Sequence, residues 1–563
     1  MESTRLSVTS SPLAKRMRVA GLLLSTLLIS QLVGCSSESA VETGNRERVF
    51  YLGNGTEPQT IDPHVLSGSP EARIATALFE GLVRANPHTL AIEAGVAERW
   101  EYSPDGRSIT FYINPNARFS NGEPITADDV VWSWHRALNP KTGNLLADYL
   151  FSVKNAEAYH RGRIDDPAEV GVYALDERTL RVELEFPDPY ALRKFAYVYN
   201  TVVHPETILA HGEMTSRYSK WTRPENFVGS GPFVLDGWAM QRYLRVKRNE
   251  HYWDADRVAL EGIVFRSIES DSTEEKMFRS GQLHATGSVP NTKIPTYRSY
   301  AESPLVEAPY MSTYYYMLNT RRPPLDNVKV RRALAMAIDR RQLTDSVLEG
   351  TVLPSSNYIP LGMPGYDYPQ VLSFDPEAAR QLLAEAGYPG GQGFPDVELI
   401  YNTSENHRTV AVAVQQMWKQ YLNVNVQIAN QEWKVYLDTL DREDYTIARM
   451  GWIGDVYPGS FLDRLVSDSG TNRVGFSNPD FDDIILNQVR ASHDVAELMR
   501  LYREAERLLL EETPLIPIYS YKVKRLVQPG LRGLPANQTD TFNYKYVELA
   551  EQAAAWQPQA SLE

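Results

Sequence analysis

From Ser108 to Ile113 apolar and polar positions alternate, with Ile109, Phe111 and Ile113 on one side and Thr110 and Tyr112 on the other, the period of a half-buried strand. Asp105-Gly106 just before it signals a tight turn. Thr126 followed three residues on by Asp129 predicts a capping box opening a helix through Val130, Trp132 and Trp134. Gly231–Leu235 and Tyr243–Val246 read as a hairpin across a short polar turn, and Ser272 with Glu275 predicts a second helix start. Asp326 is expected to cap a helix over Val328–Ile338, with Val330, Leu334, Ala337 and Ile338 as its core stripe and Lys329, Arg331 and Arg332 facing out. Between Asn402 and Trp452 the period switches repeatedly: Val410–Leu422 is helical, Val424–Ile428 extended, Trp433–Leu440 a short helix and Tyr445–Trp452 an apolar strand. That order predicts an α/β layer of βαβ type, whose strand ends open on one crevice, so residues just past Trp452 are candidate ligand contacts.

The N-terminus follows another pattern. Lys15, Arg16 and Arg18 precede a mostly apolar run, Val19 to Val33, too short to span a bilayer comfortably but suited to a secretory signal. It ends at Leu32-Val33-Gly34-Cys35, and Cys35 is the sole cysteine of the 563-residue chain. Residues 35–47, Ser/Glu-rich at their start, read as a flexible tether.

Composition narrows the function classes. Lys+Arg 57 against Asp+Glu 71 gives a net charge of -14 without a long basic run, which argues against nucleic acid as partner. One cysteine excludes an internal disulfide and Cys-rich metal sites. The histidines show no HxH, HxxxH or HExxH spacing, and GxSxG, GxxxxGK[ST] and helix-opening GxGxxG motifs are lacking. No metal, no cofactor and no enzymatic activity are expected, although a carboxylate pair for hydrolysis is set by distance in the fold and stays open.

Ala97, Trp100, Asp105-Gly106 and Thr110-Phe111, then FSNGEPITADDVVWSW, VGSGPF, NEHYWD, MFRSGQL and YYYMLN, together resemble the extracytoplasmic solute-binding proteins of peptide ABC importers, solute-binding protein family 5. YNTSENH, QEWKVYLDTL and ARMGWIGDVYPGSFL resemble its oligopeptide-binding (OppA-type) branch, and LVGC resembles a lipobox that would make Cys35 a lipidated N-terminus. The resemblance implies an α/β, two-lobed hinge fold of the periplasmic-binding-protein type with an inserted domain: a leader 1–34, tether 35–47, domain I from 48–79, 204–310 and 522–552, domain II from 80–203, domain III from 311–521 as the closing lobe, and a tail 553–563. It implies a monomer in the cell envelope, membrane-bound by its lipid alone, that closes over an oligopeptide and delivers it to permease subunits.

The same resemblance implies the site. Asp455 would pair with the ligand's α-amino group, Gly451 would let the peptide main chain approach, and Ile453 would pair with it through its backbone. Trp433 and Trp452 would wall side-chain pockets, Arg449 would lie near the ligand's carboxylate end, and His407 further along the groove. At three positions the chain departs from the branch: Leu440 replaces an arginine, Ser67 a glutamate and Leu146 a tyrosine. A murein or signalling peptide, or a nonpeptide cargo, is therefore an alternative on the same fold; an envelope peptide hydrolase or chaperone is the alternative of another class.

Overall fold

A computed structural model describes residues 38–557 other than Ser67 and His493; the leader 1–34, Cys35 and Ser67 lie outside the described residues. Three larger sheets organise the body. A four-stranded sheet joins Val49–Gly53, Gly262–Arg266, Tyr243–Arg248 and Phe233–Ala239, so the expected hairpin is formed as Phe233–Ala239 against Tyr243–Arg248. A second, wholly antiparallel sheet orders Ala97–Tyr102, Ser108–Ile113, Thr179–Glu183 and Val172–Asp176. Ser108–Ile113 buries the apolar residues that its alternation marks.

The third sheet has six strands, ordered Leu353–Pro354, Leu515–Leu526, Leu305–Leu318, Ile447–Ile453, Val397–Asn402 and Val426–Gln431. Its last three are parallel, the predicted βαβ layer, but Ile447–Ile453 then pairs antiparallel with Leu305–Leu318, so the sheet is mixed. Tyr314 and Tyr316 pack into the core on one face, while Tyr315 and Met317 pack into the core on the other. A strand buried on both faces needs apolar or aromatic residues at every position, and Tyr314-Tyr315-Tyr316 supplies them. The two longest strands pair in two stretches, Leu305–Pro309 with 522–526 and Thr313–Met317 with 515–520, with a register shift between Pro309 and Thr313.

Several local expectations are corrected. The helix expected to start at Ser272 starts at Asp271, capped by Ser270, whose hydroxyl accepts from the Thr273 N–H; Ser272 bonds Glu405 instead. The cap of Val328–Met336 is Asn327 and not Asp326. Arg331 does not face out: it is 5% exposed and donates to the Leu325 carbonyl and to the Glu512 and Thr513 carbonyls, the last two at the C-terminal end of the helix Val495–Glu512, where carbonyls lack intrahelical partners. Part of the expected tether is structured, because Ala40–Glu47 is a helix that buries Val41 and Asn45. Val41 N–H donates to Gly281 O at 2.9 Å and the Asn45 amide to Ala553 O at 2.7 Å. In the tail, Trp556 is buried against Phe278 and Tyr297.

Candidate functional site

A cavity of about 660 Å³ lies against the six-stranded sheet and is closed on its other sides by helices and loops, among them 68–85, 193–201 and 539–543, within the range that encloses a small ligand. Asp455, Trp452, Gly451, Ile453, Arg449 and Trp433 all line it; His407 does not. Five of the six come from the end of the Ile447–Ile453 strand and the loop after it, where parallel strand ends open. Trp433 is the first residue of its helix, whose cap Glu432 accepts from the Lys434 and Val435 N–H groups and so sets the helix start.

Asp455 is 4% exposed and held from several sides. Its Oδ1 accepts from Arg193 Nη1 at 3.1 Å and from the Val456 N–H at 2.7 Å, and the Tyr197 hydroxyl adds a further bond. Burial pushes the Asp455 carboxyl above the usual range, against the opposing pull of Arg193 and these hydrogen bonds. Arg193 and Tyr197 come from the segment that follows the second sheet, so this pair bridges the cleft.

Arg449 is also buried, but no carboxylate pairs with it among the described residues. Its guanidinium donates to the Tyr521 hydroxyl and to Asn402 Oδ1 at 3.2 Å and lies 4.8 Å from the centre of the Tyr314 ring, while its Nε has no partner. Gly451 has a specific reason to lack a side chain: a Cβ there would come 3.0 Å from the Arg449 guanidinium and 3.3 Å from the Tyr521 hydroxyl. Trp452 is pinned, its Nε1–H donating to Ser460 O at 2.8 Å under the Arg464 guanidinium 4.0 Å from its ring centre. His407 sits behind the wall, 5.6 Å from the Tyr314 ring; burial and then the charge of Arg449 hold it well below the ordinary histidine range, so it is neutral.

The three departures fall in different places. Leu146 lines the cavity, whereas Leu440 is fully buried in the core and does not. Ser67 lies outside the described residues.

Sequence reasoning missed Arg193, Tyr197, Arg73, Lys522, Lys524, Arg525 and Asp540, all in the cavity wall. Arg73 and Arg525 share Asp540 and flank the Phe542 ring at 5.4 and 4.7 Å from its centre. The alternation Lys522-Val523-Lys524 is the one local signal that places two cations on one face of a strand; nothing around Arg193 singles it out.

Residues 91–473 match the family of bacterial extracellular solute-binding proteins, family 5. The chain is 33% identical to the periplasmic oligopeptide-binding protein OppA of Salmonella typhimurium, over 92% of this chain and 95% of that one. The structure of the Escherichia coli murein tripeptide-binding protein MppA superposes with a TM-score of 0.84 at 34% identity, covering 89% of this chain and 98% of that one. The unliganded open form of MppA matches over a similar span, 89% and 97%, at 33% identity but with a TM-score of only 0.65. The lobes of the present structure therefore stand nearer the first arrangement than the open one. The α/β two-lobed architecture is that of these proteins.

Proposed function

The chain belongs to the family 5 bacterial extracellular solute-binding proteins, and from that premise we propose that it captures oligopeptides in the cleft and delivers them to an ABC importer. One observation carries the reading. The cavity presents a buried carboxylate, Asp455, and a separate buried guanidinium without an acid partner, Arg449, a charge pair that complements the two ends of a zwitterionic peptide. Asp455 takes the α-amino group and Arg449 the carboxylate. Main-chain pairing with the edge at Gly451 to Ile453 supplies affinity that does not depend on side chains, and Trp433 and Trp452 form apolar walls. His407 supports Arg449 from behind as an uncharged neighbour.

In this reading domain I (48–79, 204–310, 522–552) and the inserted domain II (80–203) face the closing lobe 311–521. The separate cores of the three sheets support that division, and the register shift between Pro309 and Thr313 lies beside one of its boundaries. Cys35 carries the lipid that holds the protein in the envelope, an assignment that an unacylated N-terminal peptide in the mass spectrum of the mature chain would refute. No helix among the described residues is long and apolar enough to cross a membrane.

Calorimetric titration with free and N-acetylated forms of one peptide tests the site. Acetylation does not leave Asp455 without a partner, because Arg193 still holds it, so the loss is that of a charge-assisted bond, about 1.5–3 kcal/mol or roughly 10- to 150-fold in affinity. Asp455→Asn should narrow that gap. Equal affinity of the unaltered protein for both forms would remove Asp455 from the site.

A further inference from the structure

The charges around the cavity do not balance. Its three acids are satisfied within the protein: Glu80 by Arg84 at 2.6 Å, Asp455 by Arg193 at 3.1 Å, and Asp540 by Arg73 and Arg525 together. Three cations remain, and their polar partners are all neutral. Arg449 has Tyr521 and Asn402, Lys522 has the Gly350 carbonyl at 3.1 Å, and Lys524 has the Asn291 amide oxygen at 2.8 Å. This excess is opposite in sign to the chain's net charge of -14.

Lys524 is the informative member. The two acids that act on it are committed elsewhere: Glu307 is held by both arms of the Arg298 guanidinium at 2.8 and 2.7 Å, and Asp271 accepts from Ser288 and Asn406. Burial brings its ammonium down to about 8, with Asp271 and Glu307 opposing, so it is still charged at neutral pH. It lies three residues along the strand from Tyr521, the partner of Arg449, a separation of about 10 Å. A cation withdrawn from water is stabilised by an anion brought to it. In the reading above Arg449 takes the peptide's terminal carboxylate, which leaves Lys524, with Lys522 on the same face of the strand, for a second one.

We propose that the chain selects acidic peptides, ligands whose side-chain carboxylate meets Lys524 while the chain-end carboxylate meets Arg449. This rests on the peptide-binding reading above. The test is calorimetric titration of the purified protein with tetra-alanine and with variants carrying Glu, Gln or Lys at the second, third or fourth position. At one position or more, Glu should bind about tenfold or more tighter than Gln, and Lys more weakly than Gln. Lys524→Met should bring the Glu-to-Gln ratio near one while leaving tetra-alanine affinity within about threefold. Because the ratio is read first on the unaltered protein, a poorly folding variant cannot mask it. Equal affinity for Glu and Gln at every position overturns the proposal, and if tetra-alanine still binds, the peptide-binding reading stands without it. Failure of every peptide to bind overturns both.

Discussion

Glu506 shows how one buried side chain ties stability to pH. It is fully buried, accepts from the Ile359 N–H and the Tyr366 hydroxyl at 2.8 Å each, and burial raises its carboxyl to about 7. The folded state thus holds this proton more tightly than the unfolded chain does. Its contribution is fully present below the unfolded value near 4.5 and is lost as pH rises through about 7. Glu506→Gln keeps the shape and an acceptor but removes the titration, so the variant should melt at a higher temperature than the unaltered protein at pH 8 and show a flatter melting profile between pH 6 and 8. Parallel profiles for the two proteins would show that Glu506 does not titrate in that window. Glu274, raised to about 7 by burial, acts in the same direction. His64 and His284, lowered to about 4, act oppositely, since stability is lost as pH falls below their ordinary value of 6.5.

Among the elements, the helix Ala127–Leu138 combines local and tertiary causes. Its Thr126 hydroxyl accepts from the Asp129 N–H while the Asp129 carboxylate accepts from the Thr126 N–H at 2.8 Å, and Trp134 and Ala137 are buried in the core of the second sheet. Thr126→Ala should destabilise the protein by about 1 kcal/mol, the usual cost of losing such a cap, with ligand affinity unchanged. A urea midpoint unaltered by the substitution would show that packing alone holds this end. The capping box was legible because both partners lie within four residues. Ser272 and Asp326 misled for the same reason: several cap-forming residues compete within one turn, and Ser270 and Asn327 are the ones whose side chains reach the free N–H groups. Arg331 lies on the polar side of its helix pattern, yet meets carbonyls from residues 512 and 513 that periodicity cannot reveal.

For the whole molecule, contacts among residues outside the cavity lining join its two sides. Arg464, 4% exposed, donates to Asp148 at 2.7 Å, Arg490 meets Glu157 at 3.2 Å, and Tyr190 stacks on Tyr457 with centroids 4.6 Å apart. Each joins the 148–190 region to the 457–490 region, and none of these residues lines the large cavity. Opening the cleft would expose both partners of each contact to water, and the two ion pairs favour the closed form only while both of their charges are present. Asp148→Asn leaves Arg464 enclosed without its counter-charge. Peptide affinity should fall about tenfold although the binding wall is intact, because part of the binding free energy must then drive closure. X-ray scattering at a fixed subsaturating peptide concentration should give a larger radius of gyration than for the unaltered protein. An unchanged affinity together with an unchanged radius would show that the pair does not bear on closure.

The alternation of Ser108–Ile113, the Thr126 cap, the switch of period through Asn402–Trp452 and the GWIGD block are all local patterns, and each can be read from neighbouring residues because the forces behind it act within a few positions. The family was legible from the order of its sequence blocks, and Asp455, singled out by its place in one of them, lies in the cavity wall. Pairings between distant residues were not legible. Arg193 reaches Asp455 across 262 positions, Arg73 and Arg525 converge on Asp540 from opposite parts of the chain, and His407 falls behind the wall instead of in it. Lys524 is an unremarkable lysine in the sequence; only the fold encloses it and commits both neighbouring acids to other partners. Charge balance in a cleft depends on distance and burial, which a linear chain does not encode locally, and so the tertiary structure alone decided which of its many charged residues are left for a ligand.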